Sequence, residues 1–533
     1  MNTKTIFSGV LLSAAMGMSV SSSAYESFQG PTELIQYDPA KAFESYTLFS
    51  PFRGENTYLI DMHGEVVHMW AYPEGVSAPT GTAGNNEIVE KHARLLEDGT
   101  LLRAISDRSQ GNPANVVYQR LNWDGEVIWE YDEDRPGYGP HHDYRMIWNP
   151  KLQEHTLLYA STREVTHEDG LAMGLDPELH DNYATRPDGL VEVDMSGNVV
   201  WEWNISDHLI QNVNPDALNY GVVSENLGKF DPNYGTGVSG DWIHINAIDY
   251  NEDLGQIAIS SSSVSEIHII DHDGTFVAGD PEASIELAAS DAGDFVYRWG
   301  NPCVSDTGDC PAMLMDGLVP YNGHAQLFFM HDVQWIRDKE LALPSASNLP
   351  GAGNLMVFNN GSRQPGATFS SVLEFNPYAG DMIYGDYVGQ MEAGYQEPTG
   401  GMGGEGGNAS NVSSQIVWEY KSTMTTSFYS SYISGAQRLA NGNTFINSGA
   451  NGHFFEVTSE GEVVWEYINP VGDRTGNDYG IYTIMTDDAG RMFNSVFRAA
   501  RYAPDYPGLS GKDLVPMGQI TEVHTSEASR PDR

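Results

Sequence analysis

The stretch GEVVWEY at Gly461–Tyr467 recurs with small changes along the chain, as GEVVHMW from Gly64, GEVIWEY from Gly125, GNVVWEW from Gly197 and QIVWEY from Gln415. A phrase repeated at wide intervals marks a repeat architecture, in which one supersecondary unit stacks on its own copies. An apolar strand and a Gly-containing turn precede the phrase, clearly so in LVEVDMSGNVVWEW (Leu190–Trp203) and FFEVTSEGEVVWEY (Phe454–Tyr467). Turn residues flanked by β-branched and aromatic residues predict a β-hairpin. A second phrase of two short strands comes before each hairpin: Ala93–Ser106, His142–Thr162, His244–Ser262, His331–Gly361 and Gly435–Gly449. Together they make a four-stranded antiparallel meander. Five units are complete and a sixth is split, with Tyr482–Phe497 expected to supply its first two strands and Asn56–Trp70 its hairpin. Pairing the two ends of the chain closes a ring and removes the exposed sheet edges. The expectation is an all-β, six-bladed β-propeller over residues 46–515, closed by pairing N-terminal strands with the last blade. The Trp and Tyr residues of the phrase are expected between neighbouring blades. Hairpin glycines are expected at 64, 125, 197, 274 and 461, Gly274 lying in DHDG (Asp271–Gly274), which reads as a turn and not as a calcium loop. The segment Tyr378–Asn411 splits the blade-four hairpin and reads as a mobile surface insertion. Its glycines are followed by no Lys-Ser/Thr, which argues against a phosphate-binding loop.

The N-terminus carries Lys4, an apolar run from Ile6 to Val20, and small residues Ser22 and Ala24, the pattern of an export signal cleaved after Ala24. Residues 1–24 are thus read as a signal peptide, 25–45 as an N-terminal arm and 516–533 as a C-terminal tail. No later run has the length of a membrane span. An exported, periplasmic chain would oxidise its two cysteines, Cys303 and Cys310, to a disulfide. Asp and Glu outnumber Lys and Arg by 73 to 27, a formal charge of −46. So acidic a chain repels phosphodiester backbones, which argues against a nucleic-acid partner and reads as a solvated coat.

In a propeller the first strand of each blade lines the central channel, so residues at the entrances of those strands converge. Blades two, three and four begin His142-Asp143, His244-Ile245 and His331-Asp332; blade one begins Lys91-His92, blade five Ser434-Gly435, and blade six Tyr482. Three neutral imidazoles could hold zinc. Arg363, after the second strand of blade four, and Arg498 on blade six favour an oxyanion instead, through charge-assisted, bidentate bonds. Asn246, Asn359 and Asn360 could add neutral donors. On this reading the pocket needs no metal and no cofactor.

The segments DWIHINAIDYN (Asp241–Asn251), YRWGNP (Tyr297–Pro302), HDVQWI (His331–Ile336), VFNNG (Val357–Gly361), SGAQRLANGNTFINSGANGHFFEVTSEGEVVWEY (Ser434–Tyr467) and RYAPDYPGLSGKDL (Arg501–Leu514) resemble bacterial aryl sulfate sulfotransferases. The resemblance runs from about residue 50 to 515. It implies a periplasmic six-bladed propeller that moves a sulfuryl group from an aryl sulfate donor to a phenolic acceptor, without a nucleotide sulfate. It implies further that His244, His331 and Arg363 surround the sulfate and that a histidine at the start of blade five takes the group covalently. Here Ser434 holds that slot, and the nearest histidine is His453, at the start of the blade's third strand. Catalysis is therefore expected from His244, His331, Arg363 and His453, with His142, Asn246, Asn360 and Arg498 binding substrate. Two other readings stay open: a quinone-cofactor propeller dehydrogenase, and a non-catalytic propeller that captures sulfated aromatics.

Overall fold

A computed structural model describes residues 31–52, 54–72, 92–106, 116–178, 185–234, 242–307, 325–337, 349–362, 368–379, 384–388, 413–474, 478–481 and 494–528. The expected export signal lies outside the described residues. So do Arg363, Cys310, Tyr482 and most of the blade-four insertion.

Six antiparallel sheets form the ring expected from the repeat. From the channel outward, blade one runs Ala93–Leu95, Leu101–Ser106, Val116–Leu121, Val127–Glu133, and blade two Tyr138–Asn149, Glu154–Arg163, Asp188–Val193, Val199–Asn204. Blade three has Ile245–Asn251, Gln256–Ser261, Glu266–Asp271 and Phe295–Trp299; blade four has His331–Trp335, Leu355–Asn359, Ser371–Phe375 and Ile416–Tyr420. Blade five consists of Gly435–Arg438, Thr444–Ser448, His453–Val457 and Val463–Ile468. The closing blade departs from the expected division of two strands from each end. Its innermost strand alone, Val496–Tyr502, comes from the C-terminal side, and Tyr46–Pro51, Asn56–Ile60 and Val66–Ala71 come from the N-terminal side. The N-terminal arm adds a second clasp, with Glu33–Tyr37 lying antiparallel to Val463–Ile468 as a fifth strand on blade five. Residues after 515 also dock: Val66 N–H donates to Gly518 O at 2.9 Å, and Ile520 and Val523 of the helix Ile520–Ala528 are buried against the closing blade.

The repeated phrase is the seam between blades. The Trp129 indole N–H donates to Met195 O (2.9 Å), Trp418 to Ser459 O (3.0 Å) and Trp465 to Met62 O (2.9 Å). Each acceptor is a carbonyl in the hairpin turn of the next blade, two residues before its glycine. In the first copy His68 stands at the Trp position, and its Nε2 meets the equivalent carbonyl, Trp123 O, at 2.8 Å. The aromatic residue two places on packs against the same turn. A Cβ on Gly64 would lie 2.9 Å from the Tyr467 ring, and Gly64 also has φ +77°, so both space and backbone demand glycine there. Gly125, Gly197 and Gly461 share that left-handed conformation. Gly274 does not: the third and fourth strands of blade three are joined by a 3₁₀ turn, Asp273–Thr275, and the helix Pro281–Ala288 instead of a tight hairpin. The cause is visible next door. This helix and the Asp291–Gly293 turn cover Trp201 and Trp203 of blade two, whose indoles donate to Thr275 Oγ1 (3.0 Å) and Gly293 O (2.8 Å).

Candidate active site in the channel

Four inner strands carry a β-bulge near their entrance. In blade two, Tyr144 pairs with Tyr159 and Pro140 with Ser161, so His141, His142 and Asp143 share one opposing residue. The ladder slips likewise around Asn246 in blade three, Asp332 in blade four and Phe497-Arg498 in the closing blade. A bulge frees residues from the ladder and re-aims their side chains. His142 (φ 51°), His244 (φ 54°) and Asp332 (φ 58°) sit in the left-handed region, which for non-glycine residues stores strain and is most often seen at functional sites.

Two groups of charges result. In the first, Arg498 Nη1 lies 2.7 Å from Asp143 Oδ2 and Arg498 Nε 3.1 Å from Asp332 Oδ1, joining three non-adjacent blades. Asp143 also meets Arg94 Nη2 and His92 Nε2, each at 3.2 Å, and accepts Ile248 N–H at 2.9 Å. Burial alone would raise the Asp143 carboxyl, but Arg498 and Arg94 hold it well below the usual carboxylate range. Burial lowers His92 to about 4, keeping it neutral. Burial also pushes the Asp332 carboxyl up, against the pull of Arg498. Arg498 Nη2 is buried and meets no acceptor among the described residues.

The histidines form the second group. His244 Nε2 lies 3.2 Å from His142 Nε2, and His142 Nδ1 lies 2.9 Å from His141 Nδ1. His141 Nε2 is 3.1 Å from Asp188 Oδ1, an ion-pair distance in place of a straight hydrogen bond. Burial lowers His142 well below the ordinary histidine value, with the charges of His244, His141 and His331 adding to the effect. His331 lies close enough to respond to His244 and Arg498, and burial brings it down to about 3. Its Nδ1 is 2.7 Å from Asn360 Oδ1. The Asn360 amide nitrogen donates to Ser430 O (2.8 Å) and Ile433 O (2.9 Å), so its oxygen must face the imidazole. His331 therefore carries its proton on Nδ1 and its lone pair on Nε2.

The other expected site residues fare differently. Asn246 donates to Met330 O at 2.8 Å and accepts from Ser260 Oγ at 2.5 Å, and Asn360 spends its amide as described; both hold the pocket's frame. Asn359 accepts the N–H of Phe328 at 2.8 Å. His453 is turned to the outer strand of blade five, where its Nε2 lies 2.9 Å from Glu466 Oε1. Ser434 is buried, and its Oγ bonds to Ser430 Oγ (2.8 Å) and accepts Gly449 N–H (3.0 Å). Cys303 is buried in the turn Pro302–Ser305 and is not a free thiol; Cys310 lies outside the described residues. Sequence reasoning missed His141, Asp143, Asp188 and Asp332. The pairs His141-His142 and His142-Asp143 carried the signal, since adjacent residues of a regular strand point to opposite faces and only a bulge brings them together.

No group of His, Cys, Asp and Glu among the described residues has the arrangement of a metal site. No helix among them is long and apolar enough to cross a membrane. No curated protein matches the chain. Among solved structures it is similar to a Bacteroides caccae protein of unknown function (11 % identity, 86 % of this chain and 99 % of that one, TM-score 0.38). It is also similar to the Pseudomonas aeruginosa periplasmic gluconolactonase (10 %, 86 % and 99 %, TM-score 0.32) and to Kuenenia stuttgartiensis hydrazine synthase (13 %, 46 % and 56 %, TM-score 0.26). Likenesses so distant say nothing of chemistry. The family model of the arylsulfotransferases (ASST) matches residues 53–284, a span that contains His142, Asp188, His244 and the segment Asp241–Asn251, and it upholds the resemblance over that span.

Proposed function

We propose that this protein is an exported, periplasmic enzyme that transfers a sulfuryl group from an aryl sulfate ester to a phenol. The arylsulfotransferase match supports the reaction class. The observation that carries the reading to this pocket is the meeting of His244 with His142, close to His331 and the buried Arg498 guanidinium, with burial keeping His142 and His331 neutral. A sulfuryl group in transfer resembles planar SO₃, by analogy with loose phosphoryl transfer, so catalysis is mainly positioning and stabilisation of charge on its oxygens. Arg498 Nη2 has the donor for one such oxygen, and Arg363 is expected to supply another. With His453 engaged by Glu466 and Ser434 packed against Gly449, the attacking group is assigned to His331. Its Nε2 lone pair attacks sulfur; the S–O(aryl) bond breaks, the aryl oxide leaves, and the proton stays on His331 Nδ1, donated to Asn360 Oδ1. The phenol oxygen then attacks sulfur, the S–N bond breaks, and the phenol proton passes to His244. Cys303 and Cys310 form the one disulfide of the exported chain.

The test is release of chromophore from a nitrophenyl sulfate with and without added phenol. Wild type should show ping-pong kinetics and leave acid-labile sulfate label on His331 when acceptor is omitted. His331→Ala should lose at least ~10³-fold, the scale of a lost nucleophile or oxyanion donor. An unlabelled chain that still transfers sulfate would remove the covalent step. Binding of aryl sulfate without turnover would favour the capture reading instead.

A further inference from the structure

Arg498 sits on the bulge in the innermost strand of the closing blade, and its guanidinium is only partly engaged. Nη1 meets Asp143 Oδ2 at 2.7 Å. Nε and Nη2 are both buried and donate to no acceptor among the described residues. Their hydrogens leave the planar group from one edge, the fork that can grip two oxygens of a single tetrahedral anion. Asp332 Oδ1 stands 3.1 Å from Nε, near enough to pair charges without making a straight hydrogen bond. The fork is open to an anion, and a carboxylate stands beside it.

That carboxylate is held in place by strain and close packing. Asp332 has φ 58°, in the left-handed region that strains a residue with a Cβ. Its Oδ2 accepts Ala436 N–H and the Gln334 side-chain amide, each at 3.2 Å. Gly435 makes the room, since a Cβ there would collide with that same oxygen. An asparagine could accept both hydrogen bonds as well. What the aspartate adds is charge, and Arg498 already has a counter-ion in Asp143.

The charges around the fork show what that addition does. Arg498 and Arg94 face Asp143 and Asp332, two cations against two carboxylates. Burial keeps His92 and His331 neutral, at about 4 and about 3, and lowers His142 as well. The fork thus offers directed donors with little surplus positive charge behind them. Sulfate and phosphate esters of a phenol share one tetrahedral shape and differ in charge, the sulfate ester being singly charged and the phosphate ester about −1.5 to −2 at pH 7. We propose that Asp332 is a specificity-determining residue, which lets the Arg498 fork take the singly charged sulfate ester and turns away the doubly charged phosphate ester of the same phenol. The fork meets the first charge; a second would lie beside a buried carboxylate whose own cation is already shared. The assignment rests on the sulfuryl-transfer reading and adds how that site would tell its donor from the phosphate analogue.

Isothermal titration calorimetry of the full chain reads the choice with two probes that carry no transferable sulfuryl group. Phenylmethanesulfonate is a monoanion at every working pH, and phenyl phosphate is a dianion at pH 8. Wild type should bind the sulfonate at least ~10²-fold more tightly at pH 8, the scale of a like-charge contact in a buried site. Asp332→Asn should narrow that gap by ~10-fold or more, gaining far more affinity for phenyl phosphate than for the sulfonate. A variant that loses both ligands alike would reduce Asp332 to a brace between blades and overturn the proposal. So would a wild type that binds phenyl phosphate as tightly as the sulfonate, or binds neither. Wild type alone gives a second reading should the variant not fold. Burial raises the Asp332 carboxyl against the pull of Arg498, and Asp143, Arg94 and Arg145 are the other charges that face it. As pH falls from 8 to 5, Asp332 moves toward its neutral form and phenyl phosphate takes up its second proton near pH ~6, so both changes should bring phosphate affinity toward that of the sulfonate. A ratio that stays constant over this range sinks the charge argument. If the chain binds the sulfonate but transfers no sulfate, the proposed function fails, while the two anions still decide the role of Asp332.

Discussion

At the scale of the residue, Asn360 does the most with the fewest atoms. Its amide ties the entrance of blade five, through the Ser430 and Ile433 carbonyls, to the imidazole of His331 on blade four. Asn360→Ala would remove this donor from the Ile433 carbonyl and leave Ser430 O only the long Ser370 Oγ contact at 3.4 Å, a cost of about 1–3 kcal/mol for an unsatisfied buried group, and would free the His331 ring to rotate. The expected outcome is a lower melting temperature together with a ~10²-fold fall in kcat, as for a reacting group displaced by about an ångström. A melt that drops while kcat holds would show that His331 is oriented by something else. The sequence placed His142, His244 and His331 at equivalent strand entrances, and the first two touch. It did not disclose Asp188, because an aspartate in RPDGLVEV looks like any turn residue before a strand. Nor could it show that His453 would meet Glu466, since both alternate correctly on a hairpin and only the blade's packing decides which face looks outward.

At the scale of the element, the hairpins were readable because their glycines, turn polar residues and aromatics are local requirements. The bulges were not, because a ladder slip depends on the partner strand and leaves no period-2 signature. The blade-three connection shows the same limit. Its helix exists to cover Trp201 and Trp203 of blade two, a demand from outside the segment. That seam also contains a charged latch. His272 is buried with Nε2 2.7 Å from Glu192 of blade two and Nδ1 2.9 Å from Asp273, among Trp201, Tyr250 and Phe276. Burial opposes its charge, but Glu192 and Asp273 raise it to about 9. A histidine with a folded pKa above its unfolded 6.5 contributes stability in full below pH 6.5, and loses it as pH rises through 9. The loss is about 3 kcal/mol across that window, at 1.36 kcal/mol per pKa unit. Chemical denaturation at pH 6 and pH 9.5 should show wild type weakening relative to His272→Gln. A difference between the two proteins that stays constant with pH would mean that His272 is neutral in the fold.

At the scale of the whole molecule, the ring is held shut by short-range devices and pushed apart by long-range ones. One strand from the C-terminal side enters a blade otherwise built near the N-terminus, Glu33–Tyr37 spans to blade five, and Glu33 Oε1 accepts the Thr521 N–H of the C-terminal helix at 2.9 Å. In the channel Arg498 of the closing blade grips Asp143 and Asp332 on blades two and four, so the axis is tied as well as the rim. Those contacts are buried, and salt screens them little. The chain's charge of −46 lies mostly on the surface, where like charges repel and salt acts strongly, with a Debye length of about 10 Å at 0.1 M. Exposed attractive pairs such as Lys41–Glu462, 2.5 Å apart on the N-terminal clasp, are few among the described residues against that excess, and solvent screening leaves each of them weak. Repulsion should therefore win the comparison: raising sodium chloride from about 0.05 to 0.5 M, where the Debye length shrinks several-fold, should raise the melting temperature. The rise should level off once the screening length falls below the spacing of surface carboxylates. A melting temperature that falls with salt would place the balance in the exposed pairs of the clasp, and deleting residues 31–41 would then abolish the salt dependence.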